Sequence, residues 1–241
     1  MNTRSERVSI PVGGLTMPAY LSRPAADGNY PGVLVFQEIF GVNAHIRSVA
    51  DRVAAEGYIA LAPEMFHRTA PGLDIGYDAE SLARGIELMQ KVKPDEIQAD
   101  VTAAHDWLRA NSASPRGVGA MGFCFGGHVT YRAACVLPIT AAASFYGGGI
   151  AGMGPGPATV DLTPGIRGRI VCFFGENDGY IPMSAVDTIR KALEDAGVRH
   201  EVLVYPGVGH GFFCDERGDY DAKSAADAWR RVVALFKEEL A

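Results

Sequence analysis

Apolar and polar positions along the 241-residue chain fall into two regimes. Near the N-terminus, "RVSIPV" and "MPAYLSR" alternate apolar with polar residues, the period-two pattern of half-buried strands. Beyond them, continuous apolar runs are separated by stretches of helical period. "GVLVFQE" is followed by a stretch opening at Asn43, a good N-cap, with Ile46, Val49, Ala50 and Val53 at helical spacing until Gly57 supplies a stop. "YIALAPE" reads as the next strand. From Asp95 to Asn111 a second helix, entered through Pro94, sets Ile97, Val101, Ala104 and Leu108 on one face. "RGVGAMGF", "ITAAASFYGG", "RIVCFFGE" and "EVLVYP" supply four more apolar runs. Helical stretches follow from about Pro182 to Ala196 and from about Asp221 to Leu240. The pattern predicts one α/β domain, its sheet mostly parallel and covered by helices on both faces. No internal repeat or linker interrupts it.

A formal charge of −6 with no basic stripe offers nothing to attract nucleic acid or an anionic membrane. No stretch reaches the length of a membrane-spanning helix, and "MNTRSERVSI" lacks the apolar core of a secretory signal. A cytoplasmic protein acting on small molecules is expected. Cys124, Cys135, Cys172 and Cys214 lack C-x-x-C spacing, so neither a zinc site nor a disulfide framework is suggested. Cys135 and Cys172 sit in apolar runs and read as small buried thiols. The Gly/Pro-rich segment 147–165 contains G-x-G-x-x-G at Gly147, Gly149 and Gly152, but Pro155 and Pro157 follow almost at once. A dinucleotide site needs a helix opening inside the motif, so the segment reads as a surface loop beside an active-site rim.

The chemistry concentrates in "GAMGFCFGGH". Gly122, Cys124 and Gly126 make G-x-C-x-G, the thiol version of the nucleophile elbow, at a strand-to-helix junction starting a helix near Gly126 and Gly127. The bland alternative is a glycine-rich turn holding an incidental cysteine. An elbow requires an acid and then a histidine later in the chain, each just past a strand. Asp178 in "CFFGENDGYIP" and His210 in "VYPGVGHGFF" satisfy that order, although Asp178 also suits a helix cap. His45, His67, His105, His128 and His200 lack such a partner pattern and read as structural.

"FQEIFG", "GFCFGG", "GENDGYIP" and "GHGFF" together resemble the dienelactone hydrolase family of α/β-hydrolases over nearly the whole chain. The resemblance implies an α/β-hydrolase fold with a nucleophile at Cys124, an orienting acid at Asp178 and a base at His210. It also implies a glutamate, Glu38, that takes the thiol proton when substrate enters. That glutamate ends the otherwise apolar "GVLVFQE"; an ordinary strand-end charge is the alternative. The fold's oxyanion hole maps onto the backbone N–H groups of Phe125 and Ile39. Well-known members hold a substrate carboxylate with arginines, one of them four residues after the catalytic histidine, where this chain has Cys214. Arg217 nearby and Arg84 in "ESLARGIELM" are the candidate replacements, or else ordinary solvated charges.

A thiolate leaves a tetrahedral intermediate more readily than an alkoxide, so a cysteine nucleophile suits activated esters such as enol lactones. The expectation is therefore a cofactor-free, metal-free hydrolase of a small ester or lactone, acting as a monomer or small homo-oligomer. A general carboxylesterase or thioesterase is the alternative. A non-hydrolytic, redox-sensing thiol protein is a more distant one, since sensing requires neither Asp178 nor His210.

Overall fold

The computed structural model describes residues 1–112, 116–152 and 158–241. The two N-terminal alternating segments form strands β1 (Thr3–Val12) and β2 (Leu15–Pro24), an antiparallel hairpin in register from Thr3↔Pro24 to Val12↔Leu15. Gly13 and Gly14 turn the hairpin with φ of 53° and 80°, a pair that L side chains adopt only under strain.

The apolar runs form β3 (Gly32–Phe36), β4 (Ile59–Pro63), β5 (Val118–Phe123), β6 (Ile139–Phe145), β7 (Arg169–Gly175) and β8 (Arg199–Tyr205). They join the hairpin in one eight-stranded sheet of order β1-β2-β4-β3-β5-β6-β7-β8. β2 pairs antiparallel with β4, and every pair from β4 to β8 is parallel. β3, β4 and β5 are buried along their whole length, which is why they read as unbroken apolar runs.

Helices α1 (Ala44–Ala55), α2 (Ala79–Lys91), α3 (Pro94–Asn111), α4 (Phe125–Val136), α5 (Met183–Asp195) and α6 (Ala222–Leu240) connect and cover the strands. Gly32 abuts Leu108 of α3, whereas Gly119 abuts Leu240 and Phe236 of α6; the two helices therefore cover opposite faces of neighbouring strands. Asn43 caps α1 as expected, its side chain accepting from Ile46 N. No helix among the described residues is long and apolar enough to cross a membrane.

Three local features differ from the sequence reading. The strand opening at "GVLVF" stops at Phe36, so Gln37 and Glu38 lie beyond the ladder. α4 begins at Phe125, directly after Cys124. α2 is an element the sequence reading does not assign, with Leu82, Ile86 and Met89 at helical spacing around an interior Gly85. Of the Gly/Pro-rich segment, residues 153–157 lie outside the described residues. Its C-terminal part is a 3₁₀ helix, Thr159–Gly165.

Candidate active site

Cys124 stands between β5 and α4 with φ 54° and ψ −115°, backbone geometry that a non-glycine residue adopts only under strain. It is held from both sides: its N–H donates to Phe145 O at 3.0 Å and its carbonyl accepts from His128 N at 3.2 Å. A Cβ on Gly126 would fall 2.3 Å from Phe36 O, and one on Gly122 would fall 2.3 Å from Gly126 O. Both flanking positions must therefore be glycine for α4 to pack this close to the sheet.

Asp178 and His210 follow β7 and β8, and the two turns are tied by Asn177 N donating to Val208 O at 2.9 Å. Asp178 Oδ1 accepts from Tyr180 N at 2.8 Å and Ile181 N at 3.2 Å, which fixes the carboxylate. Its Oδ2 lies 2.7 Å from His210 Nδ1, both side chains being buried. That carboxylate makes Nδ1 the donor and leaves Nε2 free for Cys124, which lines the same cavity as His210. Burial opposes charging of the imidazole. The negative charge of a Cys124 thiolate and the hydrogen bond to Asp178 outweigh it, and the His210 pKa is pushed up to about 10. Tyr146 and Tyr180 flank the ring edge-on, at centroid distances of 5.0 and 5.1 Å.

Phe36 and Gly122 are register partners, so Glu38 and Cys124 leave adjacent strands two residues past the same rung. Glu38 is fully buried; its Oε1 accepts from Arg217 Nη1 at 3.0 Å, and its Oε2 has no hydrogen-bond partner among the described residues. The Arg217 guanidinium also lies 5.7 and 5.9 Å from the ring centroids of Phe40 and Tyr77. Cys214 is buried behind this pair. Burial, then the charge of Glu38, pushes its thiol up to about 12, so it is a neutral partner of the Tyr77 hydroxyl.

Cys214, His45 and Asp215 bring ligand-type atoms within 4.8 Å of one another. Arg52 acts on Asp215 and His45, and Arg217 acts on Cys214, so two cations already face the trio.

Above Cys124 and His210 opens a cavity of about 240 Å³. Leu82, Ile86 and Met89 of α2 form one wall, and Ile39, Phe125 and Arg217 also line it. The N–H groups of Ile39 and Phe125 donate to no described residue. Arg84 is not brought to this cavity. It points along the outer side of α2, where it is half-exposed and paired with Glu87 at 2.7 Å. Sequence reasoning missed Tyr146, Tyr77, Tyr180 and Gln37. Its place directly after the apolar run of β6 was the signal available for Tyr146, whose φ of 35° the structure adds.

A model of the dienelactone hydrolase family matches residues 17–240. A Synechocystis protein provisionally named carboxymethylenebutenolidase is 43% identical over 243 residues, covering 100% of this chain and 99% of the relative. An Escherichia coli protein with the same provisional name is 38% identical, over 95% of this chain and 85% of its own. The crystal structure of a provisionally named dienelactone hydrolase from Klebsiella pneumoniae superposes with a TM-score of 0.89 at 35% identity, covering 99% of this chain and 100% of that one. A promiscuous dienelactone hydrolase-like phosphotriesterase from metagenomic libraries gives a TM-score of 0.83 at 25% identity, covering 99% of each chain. This chain belongs to the dienelactone hydrolase family.

Proposed function

We propose that this ester hydrolase acts on activated esters and enol lactones through a covalent acyl-enzyme on Cys124. The observation that carries the reading is the 2.7 Å contact of Asp178 Oδ2 with His210 Nδ1 in a cavity that His210 lines together with Cys124, a residue of strained backbone. With its pKa pushed up to about 10, His210 holds a proton that it can give to a leaving group.

The sulfur adds to the substrate carbonyl carbon, and the C=O electron pair moves onto oxygen. The free N–H groups of Ile39 and Phe125 receive that oxyanion; a donor of this kind contributes about 2.7 to 4 kcal/mol to the transition state. His210 gives its proton to the departing oxygen as the C–O bond breaks. Neutral His210 then takes a proton from water, hydroxide adds to the thioester, and the thiolate leaves.

Glu38 is the acceptor that frees the sulfur when substrate enters. Tied to Arg217 it is held away from proton traffic, but a substrate carboxylate arriving at Arg217 competes for the same guanidinium. Released, Glu38 offers both oxygens to a thiol proton at Cys124.

A second reading is favoured by the wall of Leu82, Ile86 and Met89. With Arg84 turned out and Arg217 neutralised by Glu38, the cavity accepts an apolar acyl group of an ordinary activated ester or thioester as readily as an anionic lactone.

Turnover of Cys124→Ala on an aryl ester and an enol lactone tests the nucleophile. Loss of activity on both is expected, and full activity on either would contradict it. A panel of enol lactones, neutral aryl esters and acyl thioesters on the native enzyme separates the two substrate readings.

A further inference from the structure

We propose that Gln37 is a positioning residue that aims the Ile39 N–H into the oxyanion hole; this rests on the acyl-enzyme reading given above. Gln37 is 1% exposed and follows the last residue of β3. Its Nε2 donates to Glu38 O at 3.3 Å, and its Oε1 accepts from Met65 N at 3.1 Å. The amide orientation is fixed by its partners: Met65 N–H only donates and Glu38 O only accepts, so the flipped amide would face both with the wrong atom.

Glu38 O and Ile39 N belong to one planar peptide, with the carbonyl and the N–H pointing in opposite directions. Pinning the oxygen therefore fixes where the hydrogen points. On its far side the Ile39 carbonyl is held by α2, which approaches so closely at Gly85 that a Cβ there would lie 2.7 Å from Ile39 O. The donor thus sits between two restraints, and Gln37 supplies the polar one.

The same contact reaches the second donor. Met65 precedes Phe66, whose ring stacks on Phe125 at 5.3 Å and 28°. The turn carrying both is closed by Ala70 N donating to Phe66 O at 2.7 Å, and is anchored to α3 by His67 and Arg68 on buried Asp100. Through Gln37 and Phe66, one braced segment bears on both N–H groups that receive the oxyanion.

The test compares native enzyme with Gln37→Met, which fills the space without either hydrogen bond. Gln37→Glu is the second variant, since it keeps an acceptor for Met65 while placing oxygen against Glu38 O. Three quantities are read: kcat and KM for para-nitrophenyl butyrate, inhibition by butanal, and inhibition by the product butyrate. The Cys124 sulfur adds to butanal's carbonyl carbon, and the carbonyl electron pair moves to the oxygen, which stays anionic in the hole with the His210 imidazolium as its counter-charge. The resulting tetrahedral adduct tests the hole in the same way as the transition state.

We expect kcat to fall about 10- to 100-fold with KM within about two-fold, below the loss for deleting a donor outright. Butanal affinity should fall by a similar factor, while butyrate affinity stays. Unchanged kcat in a folded variant, or equal weakening of butanal and butyrate, overturns the proposal. Native enzyme that gives neither saturable butanal inhibition nor an acyl adduct overturns the nucleophile assignment beneath it.

Discussion

Arg217 Nη1 donates to Glu38 Oε1 at 3.0 Å across 179 positions of chain, and Arg217 lines the cavity that holds Cys124 and His210. Both side chains are shielded, Glu38 at 1% and Arg217 at 13% side-chain exposure. In such a place the two charges depend on each other, since removing one leaves the other desolvated and uncompensated.

Arg217→Gln is therefore expected to destabilise the fold by about 3 kcal/mol, the low end for breaking a buried pair because the guanidinium retains some solvent. Adding Glu38→Gln should recover much of that loss, since two neutral amides need no counter-charge. Urea denaturation of the two single variants and the double variant measures the coupling. Additive losses would show that the pair is not a unit.

Arg84 provides the contrast. Its partner Glu87 lies one helical turn away on α2, with both side chains about half exposed, so the pair contributes little. Arg84→Ala is expected to leave stability within about 0.5 kcal/mol and KM for anionic enol lactones within about two-fold. Arg217→Gln should raise KM selectively for substrates bearing a carboxylate. A selective KM increase in Arg84→Ala would show that α2 rearranges to bring this arginine inward.

The raised pKa of His210 has a defined sign in stability. Burial works against the imidazolium, and the Cys124 thiolate leads the interactions that overcome it. A group whose pKa rises on folding, here from 6.5 to about 10, stabilises most below the lower value and loses that contribution as pH climbs through the upper one. Native stability should therefore decline between about pH 6.5 and 10, and Cys124→Ala, lacking the thiolate, should decline over a lower and narrower window. Histidine NMR titration of the two proteins checks it directly. A His210 midpoint unmoved by Cys124→Ala would remove the ion pair from the mechanism.

Backbone strain at Cys124 makes an independent prediction. At an ordinary helix or strand position, glycine is less stable than alanine by about 0.5–1 kcal/mol. At φ 54° and ψ −115° a side chain is strained by about 1–3 kcal/mol, so Cys124→Gly should unfold at an equal or higher temperature than Cys124→Ala. Calorimetry that places the alanine variant clearly above the glycine variant would show a relaxed elbow.

What the sequence disclosed followed from pattern and position. Continuous apolar runs marked the parallel strands because their side chains are covered on both faces, as in Leu34 and Val35 with no exposed area. Cys124, Asp178, His210 and Glu38 were legible because each sits just past a strand end, where sequence order translates into spatial convergence. α2 was not, although Leu82, Ile86 and Met89 stand at helical spacing, because an interior Gly85 argues against a helix until Ile39 O is seen against it. Arg217 and Arg84 could not be told apart by sequence either, because the difference is which way a helix or turn faces. Gln37 looked like one more residue of an apolar strand; its role depends on Met65, a partner brought close by the turn after β4.

The most direct measurement is rapid acid quench of the native enzyme during turnover of para-nitrophenyl butyrate, followed by peptide mass mapping. A butyryl group on the peptide carrying Cys124, absent from Cys124→Ala, is the expected result. Steady turnover with that peptide never modified, or an acyl group found on another residue, would contradict covalent catalysis by this sulfur.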